Sequence, residues 1–238
     1  MRFGRRKITY YDTEAGFEAE KFAARLLLLL MNEMRASGRR RIVFLCIGTD
    51  RSTGDSLGPL IGSKLAAEMT GDVTVIGTLE HPVHAVNLDR TIEEMEEHYP
   101  DAIIVAVDAA VGRWDHVGLV TLEKGPLRPG LGVRKELTAV GDISITGIVG
   151  GAESGDPLFL QSIRLSQVMR LADCISAASA LDCGSSGDVS KTFPVRLCRF
   201  DMFCRSPMLY FGKNSTKRVY VVRVNKEAAG RCLDMPAA

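Results

Sequence analysis

A three-layer α/β/α domain with a central, mostly parallel mixed sheet is the fold this sequence predicts. Residues 42–47 and 103–107 are continuous apolar runs of strand length, the pattern of strands covered on both faces. Helical patterns at 56–69 and 87–98 separate them from each other and from a strand at 73–78. Strands alternating with helices imply a parallel sheet with helices on both sides.

The elements follow in order. Residues 14–36 read as an amphipathic helix: Phe17, Phe22, Leu26, Leu29 and Leu30 recur near helical spacing, while Glu18, Glu20, Lys21 and Arg25 take other positions. Gly38 ends it, and the strand Ile42-Val43-Phe44-Leu45-Cys46-Ile47 begins after Arg39-Arg40-Arg41. The polar stretch 48–58 is rich in turn formers and leads into the helix 56–69. The strand 73–78 and the acidic helix 87–98 come next. A third buried strand, 103–107, ends at Asp108. Further strands are expected at 117–122 and 143–149, with hairpin-like connections after Asp108 and around 126–140 that bring some antiparallel pairing. A last helix, 158–180, offers Leu160, Ile163, Leu165, Val168, Met169 and Leu171 for its buried face.

Past Leu181 the character changes. Residues 182–190 are rich in Gly and Ser, and only 218–224, alternating around Val219, Val221 and Val222, looks like a strand. Two regions are therefore expected: an α/β domain over 13–181 and a poorly ordered extension over 182–238.

Composition narrows the function classes. Of 238 residues, 46% are hydrophobic and 25% charged, which is ordinary for a globular protein. A formal net charge of +1 supplies no general attraction to nucleic acid or to an anionic membrane, so neither is expected as a partner. The longest apolar run, 26–31, is far below the roughly 20 residues a spanning helix needs. The basic start, 1–7, is not followed by the apolar stretch of a secretion signal, so a cytoplasmic location is expected. Cys46 sits in an apolar strand as a buried thiol, and the five later cysteines form no C-x-x-C pair and have no histidine near them. Structural zinc and a disulfide framework are accordingly not expected.

The chemistry concentrates at two strand ends. In an open α/β sheet, ligands and catalytic groups gather where loops leave the carboxyl ends of strands. The first buried strand runs into Gly48-Thr49-Asp50-Arg51-Ser52-Thr53-Gly54-Asp55-Ser56-Leu57-Gly58-Pro59, and the third ends at Asp108. If those strands are neighbours, Asp55 and Asp108 share a crevice. Two close carboxylates do not both ionise cheaply: one keeps a proton and can donate to a carbonyl, while the other activates water. Asp55 opens a helix, where the dipole favours its anion, so it is assigned the base and Asp108 the acid. The competing reading makes Asp55 or Ser56 a helix cap and Asp108 a partner for loop N–H groups. Neither a P-loop nor a G-x-G-x-x-G fingerprint is present, which leaves nucleotide binding without support.

These residues also carry a resemblance. CIGTDRSTGDSLGPLIG (46–62), GTLEHPVHAVNL (77–88), VGDISITGIV (140–149) and RLSQVMRLAD (164–173) resemble the YyaC sporulation protein family of endospore formers, over roughly 13–181. That family in turn resembles the spore germination protease, an atypical aspartic peptidase that degrades small acid-soluble spore proteins, within the wider phosphorylase/hydrolase-like fold of the hydrogenase maturation peptidases. The protease's T-P-D-A-L-G-P is similar to residues 53–59 here, its I-D-A-L-A-A-R to 107–113, and its P-G-S-G-V to 129–133. The resemblance implies catalytic roles for Asp55 and Asp108. Substrate-binding roles are expected for Thr53 and Arg113 in shaping the pocket, and for loop N–H groups near Gly48 or Gly58 in steadying an oxyanion. It implies a sporulation-associated endopeptidase cutting a small spore protein or peptide. The same cleft in a non-catalytic factor would only bind such a partner. The maturation peptidases add a histidine to an acidic pair to hold a metal; here no histidine follows His116, only His81 and His84 could substitute, and no obligatory metal or other cofactor is expected. The chain departs from the protease in lacking room for its additions, and in 150–159, GGAESGDPLF.

Overall fold

Six strands form the sheet in the order β1-β5-β6-β4-β2-β3. The computed structural model describes residues 8–69, 73–129, 137–151, 157–180, 210–211 and 220–221. The strands are β1 (Tyr10–Asp12), β2 (Arg41–Cys46), β3 (Val73–Ile76), β4 (Ala102–Gly112), β5 (Leu119–Lys124) and β6 (Ile143–Gly151), and the helices are α1 (Ala19–Ser37), α2 (Leu57–Glu68), α3 (Leu88–His98) and α4 (Leu165–Ala180). Strands β3, β2, β4 and β6 run parallel, while β5 is antiparallel to β6 and β1 antiparallel to β5. The mixed, mostly parallel α/β sheet expected from the apolar runs is present.

The sheet divides the core in two. On one face, Ile42, Phe44, Ile103, Val105 and Ile145 pack with Phe22 and Leu26 of α1, Leu57 and Ile61 of α2, and Leu171 and Ile175 of α4. On the other, Val43, Leu45 and Ala106 pack with Leu88 and Met95 of α3 and with Val140. Consecutive residues of β2 thus go to opposite cores, which is why its sequence is apolar without alternation.

Several boundaries moved. Strand β4 does not stop at Asp108 but continues to Gly112, pairing with β6 through Asp108↔Thr146 and shifting register between Ala110 and Val111. Parallel partners extend a strand beyond its apolar stretch, because ladder bonds depend on the backbone and not on side-chain polarity. The first helix starts at Ala19 rather than at residue 14, and Asp12 caps the intervening turn by accepting the N–H groups of Glu14 and Ala15. Residues 157–162 form a separate 3-10 turn, so α4 begins only at Leu165. The short edge strand β1 was not anticipated. The connection after Asp108 is not a paired hairpin, since β6 lies between β4 and β5; the one around 126–140 does join the antiparallel pair β5–β6, closed by the Leu127↔Val140 bridge.

A second compact unit spans Phe193–Ala238, and its described residues are Tyr210–Phe211 paired antiparallel with Tyr220–Val221, inside the strand expected at 218–224. The rest of 182–238, whose order the sequence reading addressed, lies outside the described residues, as do 130–136 and 152–156. Among the described residues, no helix is long and apolar enough to cross a membrane.

Candidate functional site

The topology makes its crevice between β2 and β4. From β2 the chain passes through α2 outward to β3; from β3 it returns through α3, over β2, to β4 on the opposite side. The connections leaving β2 and β4 therefore part in opposite directions, the condition that opens a ligand crevice at the carboxyl ends of parallel strands. A cavity of about 270 Å³ lies there, and its lining includes Gly48, Thr49, Arg51 and Asp55 from the loop after β2 and Asp108, Ala109 and Val111 from β4.

The loop after β2 owes its path to glycine. Gly48 has φ +144°, and a Cβ there would sit 2.0 Å from the Asp55 carbonyl oxygen. That oxygen instead accepts the Thr49 N–H at 3.0 Å, folding residues 49–55 back over the strand end. A Cβ at Gly58 would meet the Ile47 carbonyl oxygen at 2.0 Å, so the start of α2 lies directly on the end of β2. These contacts bring Asp55 above the sheet and into the cavity.

Asp55 does not cap the helix. Neither Thr53 nor Ser56 nor any other side chain caps the 3-10 turn 54–56 or α2; the Ser56 hydroxyl donates to the Thr53 carbonyl at 2.7 Å. The Asp55 carboxyl is raised from its ordinary pKa by desolvation and pulled back in part by the Ser52 hydroxyl. That hydroxyl is buried without a hydrogen-bond partner among the described residues, so its effect on Asp55 is that of a nearby dipole.

Asp108 is more strongly perturbed. Desolvation pushes it up to about 8, the Ala109 N–H donated to its Oδ1 at 2.8 Å offsets part of that, and the charge of Asp55 raises it further. The charge of Asp55 ranks third among the causes of the Asp108 shift, after burial and the Ala109 N–H. Burial raises both carboxyls, Asp108 to about 8, so Asp108 is the member of the pair that favours the protonated form near neutral pH. With Oδ1 engaged as an acceptor of the Ala109 N–H, Oδ2 is the oxygen left to carry a proton when Asp108 is protonated.

Asp55, Asp108 and Gly48 thus share the cavity, whereas the other expected site residues do not line it. Thr53 holds the 3-10 turn through its carbonyl, and Gly58 is packed on Ile47. Arg113 is exposed and forms a bidentate pair with Asp115, with contacts of 2.9 and 2.8 Å. The Gly48 N–H, expected to be free for an oxyanion, donates to the Val83 carbonyl at 2.7 Å. Sequence reasoning did not foresee Arg51, Val111 or Leu160 in the lining. It considered His84 only as a metal ligand, yet His84 lines the cavity, whereas His81 is exposed and does not. Among the described residues, no group of three or more His, Cys, Asp or Glu side chains stands close enough to hold a metal ion.

Comparison with known proteins places this geometry in context. A family model described as "Protein of unknown function (DUF1256)" matches residues 10–178. "Uncharacterized protein YyaC" of Bacillus subtilis (strain 168) is 42% identical over 159 residues, covering 67% of this chain and 78% of that one. Among solved structures, the NiFe hydrogenase maturation protease HycI from Thermococcus kodakarensis KOD1 covers 63% of this chain and 98% of its own, at 18% identity and a TM-score of 0.37.

Proposed function

As this chain belongs to the family described as protein of unknown function (DUF1256), we propose that it is an aspartic-type endopeptidase acting in sporulation on a small spore protein. One observation carries the reading: two carboxyl groups from separate elements line one cavity, and burial raises both, Asp108 to about 8. In the proposed step, the Asp55 carboxylate takes a proton from a water molecule whose oxygen attacks the peptide carbonyl carbon. Asp108 gives its Oδ2 proton to the carbonyl oxygen. The resulting gem-diol collapses as the C–N bond breaks; the nitrogen leaves with the proton held by Asp55, and a hydroxyl proton of the diol returns to Asp108. One water is consumed and both side chains return to their starting states.

A second reading is favoured by the Gly48 N–H, which is committed to Val83 and not offered to an oxyanion. In it the same cleft binds a peptide or protein partner without cutting it. Asp55→Asn and Asp108→Asn separate the two. The purified full chain is incubated with a spore-extract proteome and new protein termini are mapped. The peptidase reading expects cuts that each substitution abolishes while thermal melting shows the fold intact. Cuts that persist in both variants, or wild-type protein that makes none, end it and leave the binding role.

A further inference from the structure

Of the aspartate pair, only Asp108 can donate to the substrate carbonyl in the peptidase reading, and the other side-chain donors of the cavity lining are Arg51, Thr49 and His84. Enzymes of acyl chemistry aim additional donors at the oxygen where charge develops, and losing one costs about 10²–10³ in kcat. Neither glycine expected to serve this role fills it, since the Gly48 N–H goes to Val83 and Gly58 lies outside the cavity lining.

His84 is built to supply what is missing. Its Nδ1 accepts the Val86 N–H at 3.3 Å, so the ring proton sits on Nε2 and the far edge of the imidazole is a donor. Its backbone is held from both sides: the His84 N–H donates to Asn87 Oδ1 at 2.8 Å, and the His84 carbonyl accepts the N–H groups of Asn87 and Leu88 at 3.0 and 2.9 Å. Asn87 in turn donates through Nδ2 to the Pro82 carbonyl at 3.0 Å. The neighbouring Val83 pairs with Ile47 and receives the Gly48 N–H, lacing this turn to the loop that carries Asp55. A side chain fixed in tautomer and held on a rigid turn, lining the cavity with both aspartates, is pre-organised as a hydrogen-bond donor. The polarity of the Val86 contact also tells against ligation through Nε2. A metal-bound histidine ordinarily donates from its other nitrogen, and here that nitrogen receives.

We infer that His84 is a second catalytic donor of this site, its Nε2–H binding the carbonyl oxygen of the scissile bond alongside Asp108. The inference rests on the peptidase reading.

The test uses a synthetic peptide spanning a cut mapped in spore extract, the full-length protein, and the variants His84→Ala and His84→Gln. Loss of the donor lowers kcat about 10²–10³-fold with KM changed less than about twofold. Gln, whose amide N–H reaches close to the position of Nε2, recovers at least about tenfold over Ala. Two-bond ¹H–¹⁵N correlation spectra of the wild-type imidazole show the Nε2–H tautomer without any need for turnover. An Nδ1–H tautomer overturns the inference, and so does an unchanged kcat in His84→Ala, an effect confined to KM, or a Gln variant no better than Ala. If His84→Ala does not fold, the tautomer and the Gln variant still decide. A wild-type protein that cuts, with dead aspartate variants and a fully active His84→Ala, removes this inference alone; an inert wild type removes the peptidase reading and this inference with it.

Discussion

Replacing Asp108 with asparagine is expected to make the protein more stable, and increasingly so as pH rises. Burial pushes the native carboxyl up to about 8 from an ordinary value of 3.8. Its folded pKa lies above its unfolded one, so between these values the native state holds a proton that the unfolded chain has released. Stability contributed by this group is therefore intact below about pH 4 and is lost as pH climbs towards 8. The slope is about 1.4 kcal/mol per pH unit, or about 2.7 kcal/mol between pH 5 and 7. By surface area Asp108 is half-buried, so solvent screening sets a lower figure of about half of that. Asparagine fits the same space, can accept the Ala109 N–H, and has nothing to titrate. Urea unfolding of wild type and Asp108→Asn at pH 5 and pH 7 isolates the effect, because the other titrating groups are common to both proteins. The stability difference should widen in favour of the variant by about 1.3–2.7 kcal/mol. In an Asp55→Asn background most of the widening should survive, since desolvation outranks the Asp55 charge among its causes. A difference that is the same at both pH values would refute the reasoning, and with it the protonated state on which Asp108 depends as a donor.

The remaining expectations concern the scaffold. Gly48→Ala places a Cβ against the Asp55 carbonyl at a φ that disfavours side chains, and should cost about 2–4 kcal/mol in denaturant unfolding; under the peptidase proposal it should also abolish cleavage by displacing Asp55. Asp142 accepts two Arg39 guanidinium N–H groups at 2.9 and 2.7 Å and the Ile104 N–H at 2.9 Å, tying the approach to β6 onto the start of β4. Asp142→Ala should cost about 1.5–3 kcal/mol by the same measurement, and an Arg39→Ala, Asp142→Ala double-mutant cycle should show coupling between the two.

Much of this protein can be read locally. Residues 42–47 are apolar without alternation because both faces of β2 are covered, a property each residue carries by itself, and the strand was found within one residue at either end. The motif 48–59 likewise displays its own constraints, with Gly48, Gly54 and Gly58 at places where backbone approaches backbone. The reach of β4 was not legible, because its extension past Asp108 depends on pairing with β6, some 40 residues away in sequence. The 3-10 turn before α4 and the strand β1 were missed for a related reason: a three-residue edge strand has too few positions to show a period.

The sequence by itself determined which side chains stand at the ends of β2 and within β4, since residue type, apolar runs and glycine placement are local facts. The tertiary structure alone decided what those side chains do. Strand order made β2 and β4 neighbours at the point where their connections diverge, and burial raised the Asp108 pKa. Contacts from Val83 and Val86 used up the Gly48 N–H and oriented the His84 ring. Desolvation and hydrogen-bond commitment are set by atoms distant in the chain, and no reading of neighbouring residues contains them.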